Sequence, residues 1–308
     1  MTGKFIITID LGGTNLKLAL LDLRFHILSK EVLSTQAFKK PASLIGAIAD
    51  SIDNFIQTHD LSKKNILGVG LGLPGPIDVK KGLVHYFPNI PGWKDVGLKA
   101  ILEKRTGLKV YLDNDANLMS LGEFRLGAAR GAVNAICLTL GTGVGSGVII
   151  NRKLFRAETF AAGEAGHIPI NESGPRCNCG GNACLEVYIG NHRIEAEARK
   201  VFRRNISLEE LSSLAKAKNQ KAIKIWLKVG RRLGVALVGM VNLLSPECVV
   251  IGGGVANAGK ILFDEVRKTV YRQAMPIQAK HLSILKAELG SDAGLIGAGI
   301  LVKEKGLV

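Results

Sequence analysis

One short construction occurs twice in this chain, and the repeat narrows the available folds more than any other feature. Lys4 to Asp10 (KFIITID) is an apolar strand pattern, followed by LGGTN and a second strand pattern, LKLALLDL. In the middle of the chain Ala135 to Leu140 (AICLTL) is followed by GTGVGS and then by GVIIN. Short aliphatic runs bounded by glycine pair back on themselves, so each unit reads as two strands joined by a glycine-rich turn. Two such units, widely separated, predict two related sheet-centred α/β domains. The 308 residues leave room for both, at about 150 residues each.

The remaining pattern fits that division. Pro41 to His59 carries Leu44, Ile48, Ile52, Phe55 and Ile56 at helical spacing, and Ile66 to Leu73 is a buried strand. Lys216 to Arg232 reads as one helix with a solvated basic face. Glu247 to Ile251 is a strand running into Gly252-Gly253-Gly254, with a helix from Lys260. Ala293 to Lys303 is rich in Gly and Ala at helix spacing, which suits close packing. The expected first domain is 1–116 together with a C-terminal helix, 294–308, packed back on it. The second is 117–293. No low-complexity linker separates them, so they are expected to meet along a cleft.

Composition excludes several classes. The chain carries 41 basic and 26 acidic residues, a net charge of +15. The basic residues are scattered rather than gathered in a tract, and no groove-docking element accompanies them, so a nucleic-acid partner is not expected. The opening MTGKFIITID lacks a basic region followed by a long apolar stretch, so no secretory signal is expected. The longest apolar run, Leu233 to Leu244, is broken by Gly234, Gly239 and Asn242 and falls short of the ~20 residues of a membrane span. A soluble cytoplasmic protein without membrane partners is the expectation.

Two motif-like stretches fail on context. Gly70-Leu-Gly-Leu-Pro-Gly75 matches a dinucleotide fingerprint, but Pro74 and Pro76 bracket the last glycine and a hairpin pattern follows where a helix is required. Gly254 to Lys260 spells G-x(4)-G-K, but Ile261 stands where a phosphate loop needs a hydroxyl for Mg²⁺.

Four stretches carry chemistry. In Asp10-Leu-Gly12-Gly13-Thr14-Asn15-Leu-Lys17, glycines let backbone N–H groups approach phosphate oxygens. Thr14 adds a hydroxyl, and Asp10 at the strand end suits Mg²⁺. Gly141-Thr142-Gly143 repeats the device. Asp113-Asn114-Asp115-Ala116-Asn117 follows a strand and opens a helix. Its carboxylates either cap that helix, with Asp115 the candidate, or take a proton from an attacking hydroxyl. His167, Cys177, Cys179 and Cys184 form H-x9-C-x-C-x4-C with Gly180 and Gly181 allowing a tight turn. Three thiolates and an imidazole make a closed tetrahedral zinc site, which marks a structural metal. Three clustered cysteines leave one over for a disulfide reading. Cys137 and Cys248 sit in apolar strand runs and read as core.

With these pieces in place, the sequence resembles the ROK family (repressors, uncharacterised open reading frames and sugar kinases). The resemblance rests on DLGGTNLK at Asp10 to Lys17, GLPGPID at Gly72 to Asp78, PNIPGW at Pro88 to Trp93 and LDNDAN at Leu112 to Asn117. LGTGVGSG at Leu140 to Gly147, GEAGH at Gly163 to His167, CNCGGNACLE at Cys177 to Glu186 and VVIGGG at Val249 to Gly254 complete it. One departure is Ala183, where the family usually has glycine.

The resemblance implies an actin-like, hexokinase-type (ribonuclease H-like) ATPase fold, two α/β domains around a cleft, and a homodimer or higher homo-oligomer. It implies an ATP- and Mg²⁺-dependent hexose kinase, glucokinase first, with Asp115 as general base toward the 6-hydroxyl. Fructose, mannose, allose, N-acetylglucosamine or N-acetylmannosamine are the alternative acceptors, and polyphosphate the alternative donor. Asn89, Asn114, Asp115, Glu164, His167 and Glu186 are implied sugar ligands. Gly12, Gly13, Thr14, Gly141, Thr142, Gly143 and Gly253 are implied ATP contacts, with Asp10 and Lys17 in the same cofactor set. A structural Zn²⁺ on His167, Cys177, Cys179 and Cys184 would then fix the His167 ring and the Glu186 loop. The family also contains sugar-responsive regulators with a helix-turn-helix domain; with nine residues before Asp10, that reading is not the expected one.

Overall fold

Both expected hairpins form, and each seeds a five-stranded sheet of the same design. The computed structural model describes residues 4–12, 15–35, 38, 40–87 and 92–306. It divides into unit 1 (residues 1–122, 156–162 and 291–308) and unit 2 (123–155 and 163–290). In unit 1, β1 (Phe5–Leu11), β2 (Asn15–Asp22) and β3 (Ile27–Ser34) form an antiparallel meander. Helix α1 (Pro41–Thr58) leads to β4 (Ile66–Leu73), which lies parallel to β1. A small antiparallel sheet follows, of β5 (Ile77–Asp78), β6 (Leu83–Tyr86) and β7 (Lys94–Val96). Then come α2 (Leu98–Thr106) and β8 (Val110–Asn114), giving the sheet order β3-β2-β1-β4-β8. The chain leaves unit 1 within α3 (Asp115–Leu126).

Unit 2 repeats the plan. Its meander is β9 (Ala135–Leu140), β10 (Val144–Ile150) and β11 (Lys153–Phe155). Helices α4 (Glu186–Ile189), α5 (Asn191–Phe202), α6 (Leu208–Lys216) and α7 (Gln220–Leu244) follow. Next are β12 (Cys248–Gly252), α8 (Lys260–Gln273), α9 (Pro276–His281) and β13 (Ser283–Lys286), giving the order β11-β10-β9-β12-β13. The final helix, α10 (Ala293–Gly306), belongs to unit 1. No helix among the described residues is long and apolar enough to cross a membrane.

Each sheet is covered by helices whose apolar stripe the sequence displays. Helix α1 buries Leu44, Ile48, Ile52, Phe55 and Ile56, the residues whose spacing predicts it. Pro41 starts it, where the missing N–H costs nothing. The stretch expected as one helix over Lys216 to Arg232 is instead two. Helix α6 stops at Lys216, Lys218 adopts φ +62°, and Asn219 caps α7 by accepting from the N–H groups of Lys221 and Ala222. Helix α7 then runs on through Gly234 and Gly239, because Gly230 and Gly234 lie against Glu265 and Thr269 of α8.

The units also differ from the expected division. Residues 117–122 stay with unit 1 because Leu118 and Leu121 of α3 share a buried cluster with Ala298, Ile300 and Leu301 of α10. Residues 156–162 return to unit 1 from between two stretches of unit 2. Close packing against α10 explains glycines on both sides of it. A Cβ at Gly297 would lie 1.8 Å from the Leu118 carbonyl oxygen, and one at Gly70 of β4 would lie 2.4 Å from that of Ala298. Gly297→Ala is therefore expected to destabilise unit 1 by about 2 kcal/mol, overpacking outweighing the gain in helix propensity. Thermal melting of the variant, which should fall by several degrees, checks this.

Candidate active site and metal centre

The parallel strands of unit 1 align three chain positions at their C-terminal ends. Asp10 of β1 is in register with Gly72 of β4, and Gly72 with Asp113 of β8. In open α/β sheets this is the edge at which ligands bind. Gly72 lies between the two acidic corners, and its tight contact is with Leu118, whose Cδ1 is 3.1 Å from where a Cβ would sit. A Cβ there would lie 3.7 Å from the Asp10 carboxylate and 3.6 Å from the Cα of Asp115.

Asp113 to Asn117 form the first corner. Asn114 Oδ1 accepts from the N–H of Ala116 at 2.9 Å and of Asn117 at 3.3 Å, so Asn114 rather than Asp115 is the main cap of α3. Asn114 Nδ2 donates to the Gly75 carbonyl at 3.3 Å, which ties the corner to the turn before β5. Asp115, half-buried at the first position of α3, accepts from the Ala116 N–H at 2.8 Å. Gly75 itself has φ +91° and leads into the β5–β6 hairpin, not a helix, as its flanking prolines predict.

Asp10 anchors the second corner. Lys17, its antiparallel register partner on β2, lies 3.6 Å away and also donates to the Ser291 carbonyl at 2.9 Å. Burial pushes the Asp10 carboxyl up, Lys17 pulls it down, and Asp292 adds to the rise. Gly294 at the start of α10 makes room for this carboxylate, since a Cβ there would sit 3.2 Å from it. Gly12 closes the turn by donating to the Asn15 carbonyl at 2.8 Å. Gly13, Thr14 and Asn89 lie outside the described residues.

In unit 2 the Gly141–Gly143 turn follows β9, with Thr142 exposed. Gly253, at φ +83°, packs against the Leu140 backbone, where a Cβ would come within 2.3 Å of its carbonyl oxygen. The first N–H of α5, from Asn191, donates to the Gly141 carbonyl at 2.9 Å. Glu186, at the start of α4, turns its carboxylate onto the same loop. Oε2 accepts from the Val144 N–H at 2.9 Å and occupies the space a Cβ at Gly143 would need. The GEAGH segment is held on β10 by Ser146, whose hydroxyl bonds the Gly163 carbonyl and accepts from the Ala165 N–H at 3.1 Å. Neither Ser146 nor Asn191 stands out in the sequence, because what each holds lies far along the chain. On that segment Glu164 is exposed, and its Oε2 lies 4.0 Å from His167 Nε2.

The other face of His167 meets the cysteines. The donor atoms of His167, Cys177, Cys179 and Cys184 all lie within 4.8 Å of one another. His167 Nδ1 is 3.6 Å from Cys177 Sγ, and Cys179 Sγ is 3.7 Å from Cys184 Sγ. Donors at normal zinc distances around a tetrahedral centre stand about 3.5 Å (N to S) and about 3.8 Å (S to S) apart, so the set fits Zn²⁺. The donor chemistry agrees. Burial first, then the neighbouring thiols, push the Cys184 thiol up to about 12, and a divalent cation is what reverses such a cost. A Gly181 N–H favours the thiolate of Cys179. Ala183 sits beside the cluster at φ +54°, a conformation glycine adopts without strain. The other two cysteines, Cys137 and Cys248, are buried in β9 and β12.

Comparison with known proteins adds four findings. The model of the ROK family matches residues 6–305. The chain is 36% identical to a glucokinase of Halalkalibacterium halodurans, covering 99% of this chain and 97% of that one. Among solved structures, a ROK hexokinase from Thermus thermophilus is 33% identical with a TM-score of 0.84, covering 98% of both chains. A ROK family glucokinase from Streptomyces griseus, in complex with glucose and AMPPNP, is 31% identical with a TM-score of 0.84, covering 97% of this chain and 99% of that one.

Proposed function

The chain belongs to the ROK family, and from that premise we propose that it is an ATP-dependent hexose kinase, a glucokinase, transferring the γ-phosphoryl group to the sugar 6-hydroxyl. The observation that carries the reading is the row Asp10–Gly72–Asp113 at the end of the unit 1 sheet, with Asp115 opening α3 two residues beyond Asp113 and its Cα, like the Asp10 carboxylate, beside Gly72. One carboxylate suits a metal-bound phosphate chain and the other a hydroxyl. The similarity to a glucokinase in complex with glucose and AMPPNP supports the same assignment.

In this reading Asp115 orients the 6-hydroxyl and takes its proton as the new O–P bond forms, while the bond from the γ-phosphorus to the bridging oxygen breaks and ADP leaves. The transition state is metaphosphate-like and needs alignment and charge neutralisation more than covalent help. Asn89, Asn114, Glu164, His167 and Glu186 bind sugar hydroxyls. The backbone N–H groups of Gly12, Gly13 and Thr14, with those of Gly141, Thr142 and Gly143, bind phosphate oxygens, and Gly253 lies on the nucleotide side. Lys17 compensates the charge of Asp10. Asp10, a carboxylate that burial disfavours as an anion, fits the role of holding Mg²⁺, which supplies neutralising charge to the β- and γ-phosphates. His167, Cys177, Cys179 and Cys184 would hold a structural Zn²⁺. With Nδ1 turned to that centre, Nε2 is left to face a sugar hydroxyl beside Glu164. The proposal extends to a cytoplasmic homodimer with no nucleic-acid or membrane partner.

A coupled ATP-to-ADP assay against a panel of hexoses and N-acetylhexosamines tests it. Glucose is expected to give the highest kcat/KM. A higher value for another hexose reassigns the acceptor, and no turnover with any sugar in folded, zinc-loaded protein sinks the kinase reading.

A further inference from the structure

The roles above make no use of Arg156, yet its guanidinium is the partner of a carboxylate that water barely reaches. Asp113 is 1% exposed. Arg156 Nε donates to Asp113 Oδ2 at 2.8 Å, and Nη2 donates to the same oxygen. The other oxygen, Oδ1, accepts from the Asn114 N–H at 2.8 Å and from Asn117 Nδ2 at 3.0 Å. Asn114 in turn holds the N–H groups of Ala116 and Asn117 and the Gly75 carbonyl. A continuous set of bonds therefore runs from Arg156 through Asp113 to the residues on both sides of Asp115.

A buried carboxylate without a cation either takes up a proton or draws in water. Protonation would weaken Oδ1 as an acceptor, and an entering water would compete for its two donors, so either change loosens the bonds to Asn114 and Asn117. Arg156 prevents this by serving Oδ2 entirely, so Oδ1 stays available to the asparagines. The cation comes from residues 156–162, a segment of unit 1 flanked on both sides by chain of unit 2. The segment has a second point of attachment in unit 1, with Lys80 Nζ 5.3 Å from the centre of the Phe160 ring.

We infer that Arg156 is a positioning residue for the proton-accepting corner: clamped on Asp113, it holds Asn114 and Asn117 and thereby fixes where Asp115 presents its carboxylate. The inference rests on the hexose kinase reading for its kinetic consequence, and on the hydrogen bonds alone for its structural one. A displacement of about 1 Å in a reacting group costs on the order of 100-fold in rate. Arginine rather than lysine is required, because two N–H groups of one rigid plane converge on a single oxygen.

The test compares wild type with Arg156→Lys, Arg156→Gln and the double variant Asp113→Asn/Arg156→Gln. Hexose and ATP kinetics are measured, with hydrogen exchange followed over residues 113–120. Arg156→Gln is expected to lower kcat by about 100-fold with the KM for ATP within about twofold. Exchange at Ala116 and Asn117 should quicken by about tenfold or more, while exchange in the 177–186 loop is unchanged. Arg156→Lys should recover part of the rate, since the charge returns without the fork. Should Arg156→Gln fail to fold, the double variant removes the unpaired buried charge, and it is expected to fold yet remain slow. Folded Arg156→Gln or double variant with wild-type kcat and unchanged exchange at 114–117 overturns the inference. Wild type inert toward every hexose would overturn the kinase reading instead, and exchange alone would then decide the role of Arg156.

Discussion

Asp115→Asn is expected to lower sugar-dependent turnover by about 1,000-fold, within the range that loss of a general base produces. The amide keeps the size of the carboxylate and can still accept from the Ala116 N–H that Asp115 Oδ1 now bonds. The helix start should survive, because Asn114 supplies the main cap. The loss should therefore appear in kcat, with the KM for hexose changed by less than about fivefold and an unaltered melting curve. Steady-state kinetics alongside thermal melting separate these quantities. A variant retaining a third or more of wild-type kcat would move the proton-accepting role away from Asp115, with Asp10, on the other side of Gly72, the next carboxylate to replace.

Removal of the metal is expected to have the next largest effect. Cys184→Ala deletes a buried donor whose thiol burial and its neighbours hold at about 12. The variant should retain less than a tenth of an equivalent of zinc by elemental analysis. The KM for hexose is expected to rise by about 10- to 100-fold, the scale found when the support of a metal-bound histidine is lost. Far-UV circular dichroism should stay close to wild type. Most of the unit 2 core, including Leu138, Leu140, Trp226, Leu237, Val249 and Ile251, comes from strands and helices outside the cysteine loop, and Cys177 and Cys184 form a small cluster of their own with Val187. Acidification should release zinc from the wild type, because thiolate and neutral imidazole ligands take up protons as pH falls. Wild-type protein that contains no zinc as purified, with Cys177, Cys179 and Cys184 all open to a thiol reagent in the native state, would exclude the metal centre.

Much of this site is legible in the sequence because the interactions that make it are short in range. The four candidate metal ligands fall within 18 positions, His167 to Cys184, and their donor atoms lie within 4.8 Å of one another. The two strand–glycine–strand units are local as well, and both fold as paired strands that head sheets of the same order. The pattern after Gly75, with its flanking prolines, predicts a hairpin there rather than a helix, and β5 and β6 form one. The α6–α7 break was also available to sequence reasoning. Asn219 directly precedes an apolar-periodic run, which is a helix-start signal that the density of basic residues obscured.

Other features are decided only when distant segments meet. Arg156 lies 43 residues from Asp113, in a stretch with no motif, and only the fold brings them together. Glu186 reaches the Val144 N–H across 42 residues, and Ser146 holds the GEAGH segment across 17. That Asn114, not Asp115, caps α3 depends on rotamers within a single turn that three adjacent polar residues, Asp113 to Asp115, leave open. By itself the sequence determined the repeated sheet plan, the metal donors and the acidic corner, since turn chemistry, side-chain alternation and ligand spacing act between near neighbours. The tertiary structure alone decided how the acidic corner is held, which segment pairs its buried charge, and why α10 must be made of glycine and alanine. Those outcomes depend on close packing and desolvation between elements far apart in the chain, and no local pattern encodes them.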